Sequence, residues 1–578
     1  MKSLLPRVRF LVALLSFCIA CQIAHADTHY VSKSGLDVPP YTSWETAASS
    51  IQSAIDAASE GDTVLIGPGV FRESITLKSC VTVSGSGQGL TIIDSSHGPI
   101  VTCVNLVSTR IEGLTITGGD MSRRGGGIYI EGSTSVVIRD CQITGNRADD
   151  WERGAGGGIY AVESEVVIEN CVITNNVARE DGGGIFLGCA GKVCRIVGCE
   201  IVGNTASEGR GGGIFCYCLG EIRDCIIVDN QSAGDGGGIF CAEATAVDQC
   251  VILNNRVEGG LIRERWGTGV YYAGGPPGAI TNCVIGGNCA AEGYSAGVYW
   301  EADANIVNCT FLYQEGEKWS VPIEVGYPAE DFGTYENITN CVFSWERIVV
   351  LGGRVTYSLV PDLRYAQQGA GNVEGAPDFR VRATCGIRSC GSYDSRRGVT
   401  SVLCYSPVGG QDDFKHMFAT RNYWETYLIA GNSENEILLY GNVPGLPGAV
   451  ITDLSPSEDS PCIDAGNNAA EYLPDQDKAG RFRIYRGRDE WRVDMGAYEY
   501  GARRFEIAAV DPTAESGHLK LTWNSQKLPD KTYSVYLSPD LVTWTLAGSN
   551  IPTQGEFSSW IDPTANLSTR RFYRISSP

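Results

Sequence analysis

The chain has 578 residues, and 45 Lys and Arg against 67 Asp and Glu give it a formal net charge of −22. This acidic balance argues against nucleic acid and anionic membrane surfaces as partners, and it disfavours non-specific capture of strongly acidic polysaccharides. Five His residues leave little material for zinc sites or His-based catalysis, and 72 Gly without a collagen period are typical of a coil-rich β protein of two or three domains.

Residues 1–26 have the pattern of a secretory signal peptide. A basic start with Lys2 and Arg7 precedes an apolar run, and an Ala-His-Ala cleavage site ends at Ala26. Cys21 as the modified cysteine of a lipoprotein is the alternative. No later apolar run is long enough to span a membrane, so we predict a chain that is secreted or associated with the cell surface or outer membrane.

Residues 27–100 are predicted to form an N-terminal cap and the first coils of a solenoid. Ile51 and Ile55 lie on one apolar stripe at helical spacing, and Thr42 with Glu45 has the spacing of a capping box. A short amphipathic helix here would cover the open end of the first coil, which otherwise exposes apolar side chains and unpaired backbone groups.

A two-part phrase recurs through residues 101–382. Its first part is a glycine cluster followed by Ile and an aromatic residue, and its second part is Cys-x-Ile-x-x-Asn. Successive cysteines lie 25 to 33 residues apart, which is the length of one coil in a parallel β-helix. Each copy holds short β-branched runs broken by Gly or Asn, without helical periodicity. The second parts begin at Cys141, Cys171, Cys199, Cys225, Cys250, Cys283, Cys309 and Cys341.

The strand after each glycine cluster is predicted to place one aromatic ring on the outside of the coil. Side chains alternate between the faces of a strand, so an inward Ile or Val implies that the ring beside it points outward. Coils stack about 4.8 Å apart, and a file of rings at that spacing is a candidate platform for a linear glycan. The alternatives are rings that stack on one another and stabilise the sheet, or rings buried beneath an insertion at residues 383–449. The file consists of Tyr129, Tyr160, Phe186, Phe215, Phe240, Tyr271 and Tyr299.

Two positions of the Cys-x-Ile-x-x-Asn phrase are each predicted to form a ladder through the stack. The Cys precedes an inward Ile by two residues, so a buried ladder of small apolar thiols explains this position at least as well as disulfides do. The Asn tolerates a left-handed turn, and its amide can hydrogen-bond to the next coil. The asparagine ladder would comprise Asn146, Asn176, Asn204, Asn230, Asn255 and Asn288.

The phrases GGGIY at Gly125 and CQITGN at Cys141 resemble the paired GGAI and FxxN motifs of chlamydial polymorphic outer-membrane protein repeats, with Ile in place of Phe. They are also similar to the parallel β-helix repeats of pectate-lyase-like proteins. The resemblance covers about Leu114 to Ser344. It implies an all-β, right-handed parallel β-helix, a scaffold that carries many unrelated functions and does not identify a reaction.

The residues that precede three successive glycine clusters are candidate catalytic residues. They are Asp181, Arg210 and Asp235. By resemblance to pectate lyases, calcium held by Asp would acidify the proton beside a uronate, and Arg would remove it. The alternative is a cross-coil ladder of alternating charge, in which each exposed pair contributes under about 1 kcal/mol.

Calcium is the candidate cofactor, and a group of acidic residues is its candidate site. This group contains Asp149, Asp150 and Glu180. A carboxylate cluster supplies the oxygen ligands that calcium prefers. A solvated acidic loop is the alternative.

Residues 383–449 interrupt the coil pattern and are predicted to be an insertion, either a lid or a small β subdomain. Cys385 and Cys390 within it are a candidate disulfide pair. Residues 450–502 contain SPCIDAGN and VDMGAYEY, which resemble the closing segment of bacterial secreted β-helix proteins. The charged residues of this segment would either bind calcium or hold the cap through charge-assisted hydrogen bonds. They are Asp475, Asp477, Arg481 and Asp494.

Residues 503–578 contain alternating strands separated by turns, which predicts a small β-sandwich. They resemble the fibronectin-type modules that end secreted bacterial glycan-active proteins. The segment is far too short for the transmembrane barrel of an autotransporter.

Contact with a polysaccharide or cell-surface glycan through the aromatic file is the function that the sequence favours. A polysaccharide lyase or glycoside hydrolase and a non-catalytic adhesin or structural surface protein are the alternatives. An enzyme predicts convergent Asp, Glu and Arg with perturbed pKa values, whereas an adhesin predicts an exposed aromatic file without such a cluster. The sequence does not specify an oligomeric state.

Overall fold

The computed structural model is an all-β chain whose main body is a right-handed parallel β-solenoid, which confirms the predicted fold class. It describes residues 26–576 with gaps at 121–123, 151–153, 259–265, 274–277, 292–293, 302–304, 314, 317–318, 326–336, 345–353, 361–371, 375–378, 406–409, 411–413, 422–424, 444–445, 447, 458–459, 467–476, 479–483, 487–490, 500–506, 513–517, 525–531, 539–544, 555–556 and 563–571. The predicted signal peptide lies outside the described residues except for Ala26.

Four parallel sheets run along the solenoid, and a complete coil passes through them in the order 1, 2, 4, 3. Sheet 1 has thirteen strands: Thr28–Val31, Thr63–Ile66, Thr82–Ser84, Arg110–Glu112, Val136–Arg139, Val166–Glu169, Val193–Val197, Leu219–Arg223, Thr245–Asp248, Ala279–Thr281, Asn305–Val307, Asn337–Thr339 and Arg354–Thr356. Sheet 2 has thirteen strands: Gly69–Phe71, Thr91–Asp94, Thr115–Thr117, Gln142–Thr144, Val172–Thr174, Glu200–Val202, Ile226–Val228, Val251–Leu253, Val284–Gly286, Thr310–Phe311, Val342–Phe343, Leu359–Val360 and Val373–Glu374.

Sheets 3 and 4 complete the coils. Sheet 3 contains the strands that follow the glycine clusters, and its ten strands are Ile75–Thr76, Val101–Val104, Ile128–Glu131, Ile159–Val162, Ile185–Gly188, Ile214–Cys216, Ile239–Cys241, Trp266–Tyr272, Tyr294–Trp300 and Trp319–Val325. Sheet 4 has seven short strands: Arg147–Ala148, Val177–Ala178, Thr205–Ala206, Gln231–Ser232, Arg256–Val257, Cys289–Ala290 and Glu315–Gly316.

The interior of the solenoid is one continuous apolar core, because equivalent residues of successive coils stand in register. Ile159 pairs with Ile185, and Ile185 pairs with Ile214, and all three side chains are fully buried. The predicted inward positions of sheet 3 are confirmed. They are Ile128, Ile159, Ile185, Ile214, Ile239, Val270 and Val298.

Both predicted ladders are present. Each ladder Asn is fully buried, and the amide nitrogens of the first five donate to the amide oxygen of the next coil, as Asn204 Nδ2 does to Asn230 Oδ1 at 2.9 Å. The ladder cysteines are buried free thiols that donate to backbone carbonyls, as Cys225 Sγ does to Arg223 O at 3.2 Å. The amide ladder therefore satisfies buried hydrogen-bonding groups at one corner of the stack, and the thiol ladder satisfies its own S–H donors along one inner edge.

A short helix, α1, covers the first coil as predicted, but its cap differs from the prediction. α1 spans Ile51–Ala57 and buries Ile51, Ala54 and Ile55. Its free N–H groups are satisfied by Glu73, whose carboxylate accepts from Ile51 N at 3.0 Å and Gln52 N at 3.1 Å. The predicted capping box at Thr42 and Glu45 is wrong, because the helix begins only at Ile51 and a carboxylate from the next coil takes the capping role.

The predicted insertion forms a closed antiparallel barrel. In barrel order its strands are Phe379–Asp394, Val399–Cys404, Glu436–Tyr440, Glu425–Ser433, Phe418–Arg421 and Gly448–Pro456, so it extends slightly beyond residues 383–449 at both ends.

The barrel packs on the outer face of sheet 2. Val228 and Leu253 of the solenoid share one buried apolar cluster with Phe418 and Tyr440 of the barrel. Polar contacts join the same surfaces, including Asn442 N donating to Asp229 Oδ2 at 2.9 Å. The barrel therefore covers a solenoid face that would otherwise expose a row of aliphatic side chains.

Cys385 and Cys390 do not form the predicted disulfide. Both lie on the barrel strand Phe379–Asp394, where five residues at about 3.3 Å each separate their Cα atoms far beyond the roughly 7 Å that a disulfide allows. Cys390 is a free thiol. The side chain of Cys385 lies outside the described residues.

The remaining strands lie C-terminal to the barrel. Ile484–Arg486 pairs with Trp491–Val493. The last segment forms two three-stranded antiparallel sheets, as expected for a β-sandwich, with strands Ile507–Pro512, Leu519–Asn524 and Phe557–Asp562 in one and Thr545–Pro552, Thr532–Ser538 and Phe572–Ser576 in the other. Within the residues described, no helix is long and apolar enough to cross a membrane.

Candidate functional site

The aromatic file is present, and we call its seven rings the ring stack. The rings project from sheet 3 in one row, with centroids 4.8 to 5.6 Å apart from Tyr129 to Tyr299. Neighbouring planes are nearly parallel between Tyr129 and Tyr271, at 0° to 7°, because each ring stands in register with its neighbour on the next coil. The members are Tyr129, Tyr160, Phe186, Phe215, Phe240, Tyr271 and Tyr299.

The faces of the inner rings are occupied by neighbouring rings. Phe215, Phe240, Tyr271 and Tyr299 are buried and form a small apolar cluster of their own, whereas Phe186 is only partly buried. The rings therefore stack on one another, as one of the alternatives for this file predicts, and this stacking covers their faces. Tyr129 and Phe186 are the partly exposed rings, so the stack offers a ligand the edges of these two rings and the charged groups along its flank, rather than a series of open faces.

Asp181 and Arg210 lie beside the middle of the stack and contact each other directly. Arg210 Nη2 lies 3.0 Å from Asp181 Oδ2, its Nε donates to Asp181 Oδ1 at 3.3 Å, and its backbone N donates to the same oxygen at 2.8 Å. The guanidinium carbon is 5.1 Å from the centroid of Phe215 and 4.5 Å from that of Phe240. The bidentate pair thus fixes a guanidinium over the flank of two rings.

Asp235 occupies the next coil and is the third predicted catalytic residue. The pKa of its carboxyl is raised to about 6, chiefly by burial and also by the charge of Glu301, while Arg210 opposes both effects. Tyr271 donates a hydrogen bond to Glu301 Oε1. Burial, that hydrogen bond and the charge of Asp235 all raise the pKa of Tyr271 above its ordinary value. Two carboxyl groups, a guanidinium and a phenol therefore lie near one another from the middle of the stack to its sixth ring.

A similar group lies at the other end of the stack. Tyr129 donates to Glu131 Oε2 at 2.5 Å, and the Arg124 guanidinium carbon lies 5.3 Å from the Tyr160 centroid. Burial raises the pKa of Tyr129 to about 12, and the hydrogen bond to Glu131 acts in the same direction. One tyrosine–glutamate pair therefore lies at the first ring and another at the sixth ring, Tyr271, and Arg124 and Arg210 lie beside rings between them.

The predicted calcium ligands are not assembled into a site. Among the residues that the structure describes, no group of three His, Cys, Asp or Glu is arranged to hold a metal ion. Asp149 instead contacts Arg147, whose Nη2 lies 2.5 Å from Asp149 Oδ2. The prediction of a metal site at Asp149, Asp150 and Glu180 is therefore not supported by the geometry.

In the described part of the closing segment, the charged residues hold the chain through hydrogen bonds, which is one of the two roles predicted for them. Asp494 Oδ1 accepts from Asp464 N at 2.7 Å, and Asp477 Oδ2 accepts from Glu499 N at 2.9 Å. Asp477 and Asp494 are buried. Asp475 and Arg481 lie outside the described residues.

Two groups of the candidate site were missed in the sequence. Glu301 follows the sheet 3 strand Tyr294–Trp300, and its position beside Asp235 arises only when coils more than sixty residues apart in sequence are stacked. The sequence predicts Tyr271 as a member of the aromatic file, but it does not predict that its hydroxyl donates a hydrogen bond. The signal in the sequence is Trp266, which takes the place of the charged residue before the glycine cluster and ends the alternation of Asp and Arg.

Comparison with known proteins agrees with the fold. Residues 70–257, less than half of the chain, match the family model described as a right handed beta helix region. A cell surface glycoprotein of Methanothermus fervidus is 30% identical over 104 residues, which is 18% of this chain and 16% of that protein. The chain thus matches only a small part of the length of this curated relative.

Solved structures with similar folds are distant. Pectin methylesterase PemA from Erwinia chrysanthemi is 12% identical with a TM-score of 0.27, and the match covers 43% of this chain and 81% of that one. Tailspike protein gp49 from Acinetobacter baumannii bacteriophage Fri1, a capsular polysaccharide depolymerase, is 11% identical with a TM-score of 0.29 over 75% of this chain and 85% of that one. At these values the similarity supports no inference about activity.

Proposed function

We propose that this protein acts outside the cytoplasm and binds a polysaccharide along the flank of the ring stack. The observation that carries the proposal is the flank of the ring stack, along which Arg124, Arg210 and two tyrosine–glutamate pairs lie beside the rings. Charged groups of this kind make directional hydrogen bonds to sugar hydroxyls, and the partly exposed edges of Tyr129 and Phe186 supply apolar contact. The row runs along the solenoid axis, which suits a linear polymer.

Three further observations support this assignment. The acidic net charge disfavours strongly acidic polymers, so a neutral polysaccharide is the expected ligand class. The N-terminal pattern of a signal peptide supports export from the cytoplasm. The partial match to a cell surface glycoprotein is compatible with a location at the cell surface.

Binding tests the proposal directly. Neutral and acidic polysaccharides are to be titrated against the mature protein, followed by the variant Arg210→Gln. Loss of a charge-assisted hydrogen bond is expected to weaken binding of the preferred neutral polymer at least about tenfold. Arg195→Gln is the matched control, because Arg195 is similarly exposed and also pairs with a glutamate, Glu221 at 3.6 Å, but on sheet 1. Equal affinity in Arg210→Gln and the wild type contradicts the proposal.

Glycoside hydrolysis is a second candidate, favoured by the raised pKa of Asp235 beside Glu301. A carboxyl group that stays protonated up to a pH of about 6 can donate a proton to a leaving sugar, and a second carboxylate can assist the attack of water. Shortening of a polymer, measured by its chain length, would support hydrolysis. The activity is then expected to fall as pH rises above about 6, because Asp235 loses its proton.

Two variants separate catalysis at this site from a general effect of a buried carboxyl group. Asp235→Asn is expected to abolish chain shortening. Asp248→Asn is the control, since burial also raises the pKa of Asp248 to about 6, but its carboxylate lies on sheet 1 and accepts from Thr281 at 2.5 Å. Parallel reactions with calcium and with a chelator test the lyase alternative. If the polymers stay intact under all conditions, hydrolase and lyase activity are both rejected and binding remains as the proposed function.

A further inference from the structure

Five cysteines outside the ladder form a second group of thiols inside three successive coils. They line the interior near the turn from sheet 3 to sheet 1, and every one of them is a buried free thiol. They are Cys189, Cys194, Cys216, Cys218 and Cys241.

The shortest contact in this group joins Cys216 and Cys218, whose sulfur atoms are 3.1 Å apart. The residue between them, Tyr217, is 43% exposed, so the chain turns a corner at which both flanking side chains point inward. Cys216 also lies 3.3 Å from Thr245 Oγ1, and Cys218 is in hydrogen-bond contact with Cys194 on the preceding coil. The two sulfur atoms therefore meet just beneath a surface turn.

The ladder cysteines have a different geometry. They occupy equivalent positions on parallel coils, so their Cβ atoms are separated by about one coil spacing of 4.8 Å, which exceeds the usual 3.5–4.5 Å of a disulfide. Each also donates to a carbonyl within its own coil, as Cys225 does to Arg223 O. In contrast, the sulfur atoms of Cys216 and Cys218 need to approach by only about 1 Å to reach bonding distance.

We propose that Cys216 and Cys218 form an internal disulfide when the chain folds in an oxidising compartment. One thiolate attacks a disulfide oxidant such as oxidised glutathione, which releases one molecule of reduced glutathione and leaves a mixed disulfide on the protein. The second thiolate attacks the protein sulfur of the mixed disulfide, forms the Cys216–Cys218 bond and releases the second reduced glutathione. The two protons of the protein thiols end on the released glutathione, so the protein is oxidised and the oxidant is reduced.

The position of the pair determines when the exchange occurs. Both thiols are buried in the folded coil, so the oxidant reaches them before the coil closes. The resulting disulfide ring fixes the corner at Tyr217. The backbone N of Tyr217 donates to Leu187 O at 2.7 Å, so this corner is also bonded to the preceding coil. The disulfide would thus hold the turn that connects sheet 3 to sheet 1 at the middle of the solenoid.

Thiol counting with peptide mapping tests this proposal. The mature protein is refolded with oxidised glutathione, denatured without reductant, alkylated with iodoacetamide and analysed by mass spectrometry. The peptide containing residues 216–218 is expected to carry no alkyl group and to lack two hydrogen masses, whereas ladder cysteines such as Cys225 are alkylated. Two alkyl groups on residues 216–218 would overturn the proposal.

A variant gives an independent result. Cys218→Ser should leave Cys216 without its partner, so this variant should show one more reactive thiol than the wild type although it has one cysteine fewer. The ladder variant Cys225→Ser should show one reactive thiol fewer than the wild type. If Cys218→Ser also shows one fewer, Cys218 is reduced in the wild type and the proposal is wrong. Peptide mapping of the wild type decides the matter if either variant fails to fold.

Discussion

At the scale of single residues, Asn204 illustrates why every coil carries an amide at the same corner. It donates to Ile173 O and Asn230 Oδ1, both at 2.9 Å, and its Oδ1 accepts from Asn176 N and Asn176 Nδ2, both at 3.0 Å. These groups are buried, so none of them has water as a substitute partner. The ladder therefore satisfies backbone and side-chain groups of three coils together.

Replacing Asn204 with Ala should leave several buried groups without partners. Each unsatisfied buried donor or acceptor costs about 1–3 kcal/mol, so Asn204→Ala is expected to lower the free energy of unfolding by about 3 kcal/mol or more. The midpoint of urea unfolding, followed by circular dichroism, measures this change. Thr205→Ala changes the adjacent, partly exposed residue and should have a small effect. Equal destabilisation by both variants would argue against the ladder as the cause.

Asp62 predicts a pH dependence at the N-terminal cap. Burial acts to raise its pKa, but hydrogen bonds from Ser59 N, His29 and Asp27 N outweigh burial and lower it. A lowered pKa in the folded state stabilises the fold above the unfolded-state pKa of about 3.9, and this contribution is lost as pH falls through the folded-state value.

Acid titration of two variants tests this dependence. Asp62→Asn is expected to be less stable than the wild type near neutral pH and to lose less stability below a pH of about 4, because it has no carboxylate to protonate. Unfolding midpoints in urea across this range are the measurement. Asp56→Asn, at an exposed carboxylate on α1, should retain the acid dependence of the wild type. Unchanged acid sensitivity in Asp62→Asn would contradict the assignment.

At the scale of elements, the glycine clusters allow successive coils to approach closely. A Cβ on Gly183 would lie 2.4 Å from Gly212 O and 2.4 Å from the Thr205 carbonyl carbon, so backbone atoms would have to move. Gly191 provides the matched control. Its φ is +69°, but a Cβ there would meet nothing within 4 Å.

The two glycines therefore predict different costs for the same substitution. Gly183→Ala is expected to destabilise the solenoid by about 3 kcal/mol or more, because rigid backbone blocks relaxation. Gly191→Ala should cost about 1 kcal/mol, which is the cost of a left-handed conformation alone. Urea unfolding midpoints distinguish these outcomes. Equal costs would indicate that conformation, rather than coil contact, determines the need for glycine.

Periodic features of the elements could be predicted from the sequence, while features that join distant elements could not. The inward Ile positions, the ladders and the outward rings follow from alternation within strands and a constant coil length, so one copy of the repeat predicts the others. The cap of α1 comes from Glu73, and the partner of Tyr271 is Glu301, and neither pairing has a local pattern. The mutual stacking of the rings also required their orientation, which strand alternation does not specify.

At the scale of the whole molecule, the barrel acts as a cover for sheet 2, and the sequence contained a signal for this contact. Outward positions of sheet 2 are polar at Gln142 and Thr144, but they become apolar at Ile226 and Val228. A polar-to-apolar change on an outer face indicates that something covers that face in the later coils. The insertion supplies the cover, because its strands return to pack on the preceding coils.

Placing a charge in this contact should release the barrel from the solenoid. Val228 is fully buried against the barrel cluster, so an Asp there is an uncompensated charge expected to cost at least about 3 kcal/mol while the barrel is docked. Val228→Asp should therefore increase cleavage within residues 379–456 by a protease and increase binding of an apolar dye, whereas the coils retain their circular dichroism. Val193→Asp is the matched control, since Val193 is 48% exposed on sheet 1. If the barrel is equally sensitive to protease in the two variants, apolar burial on sheet 2 does not hold the barrel in place.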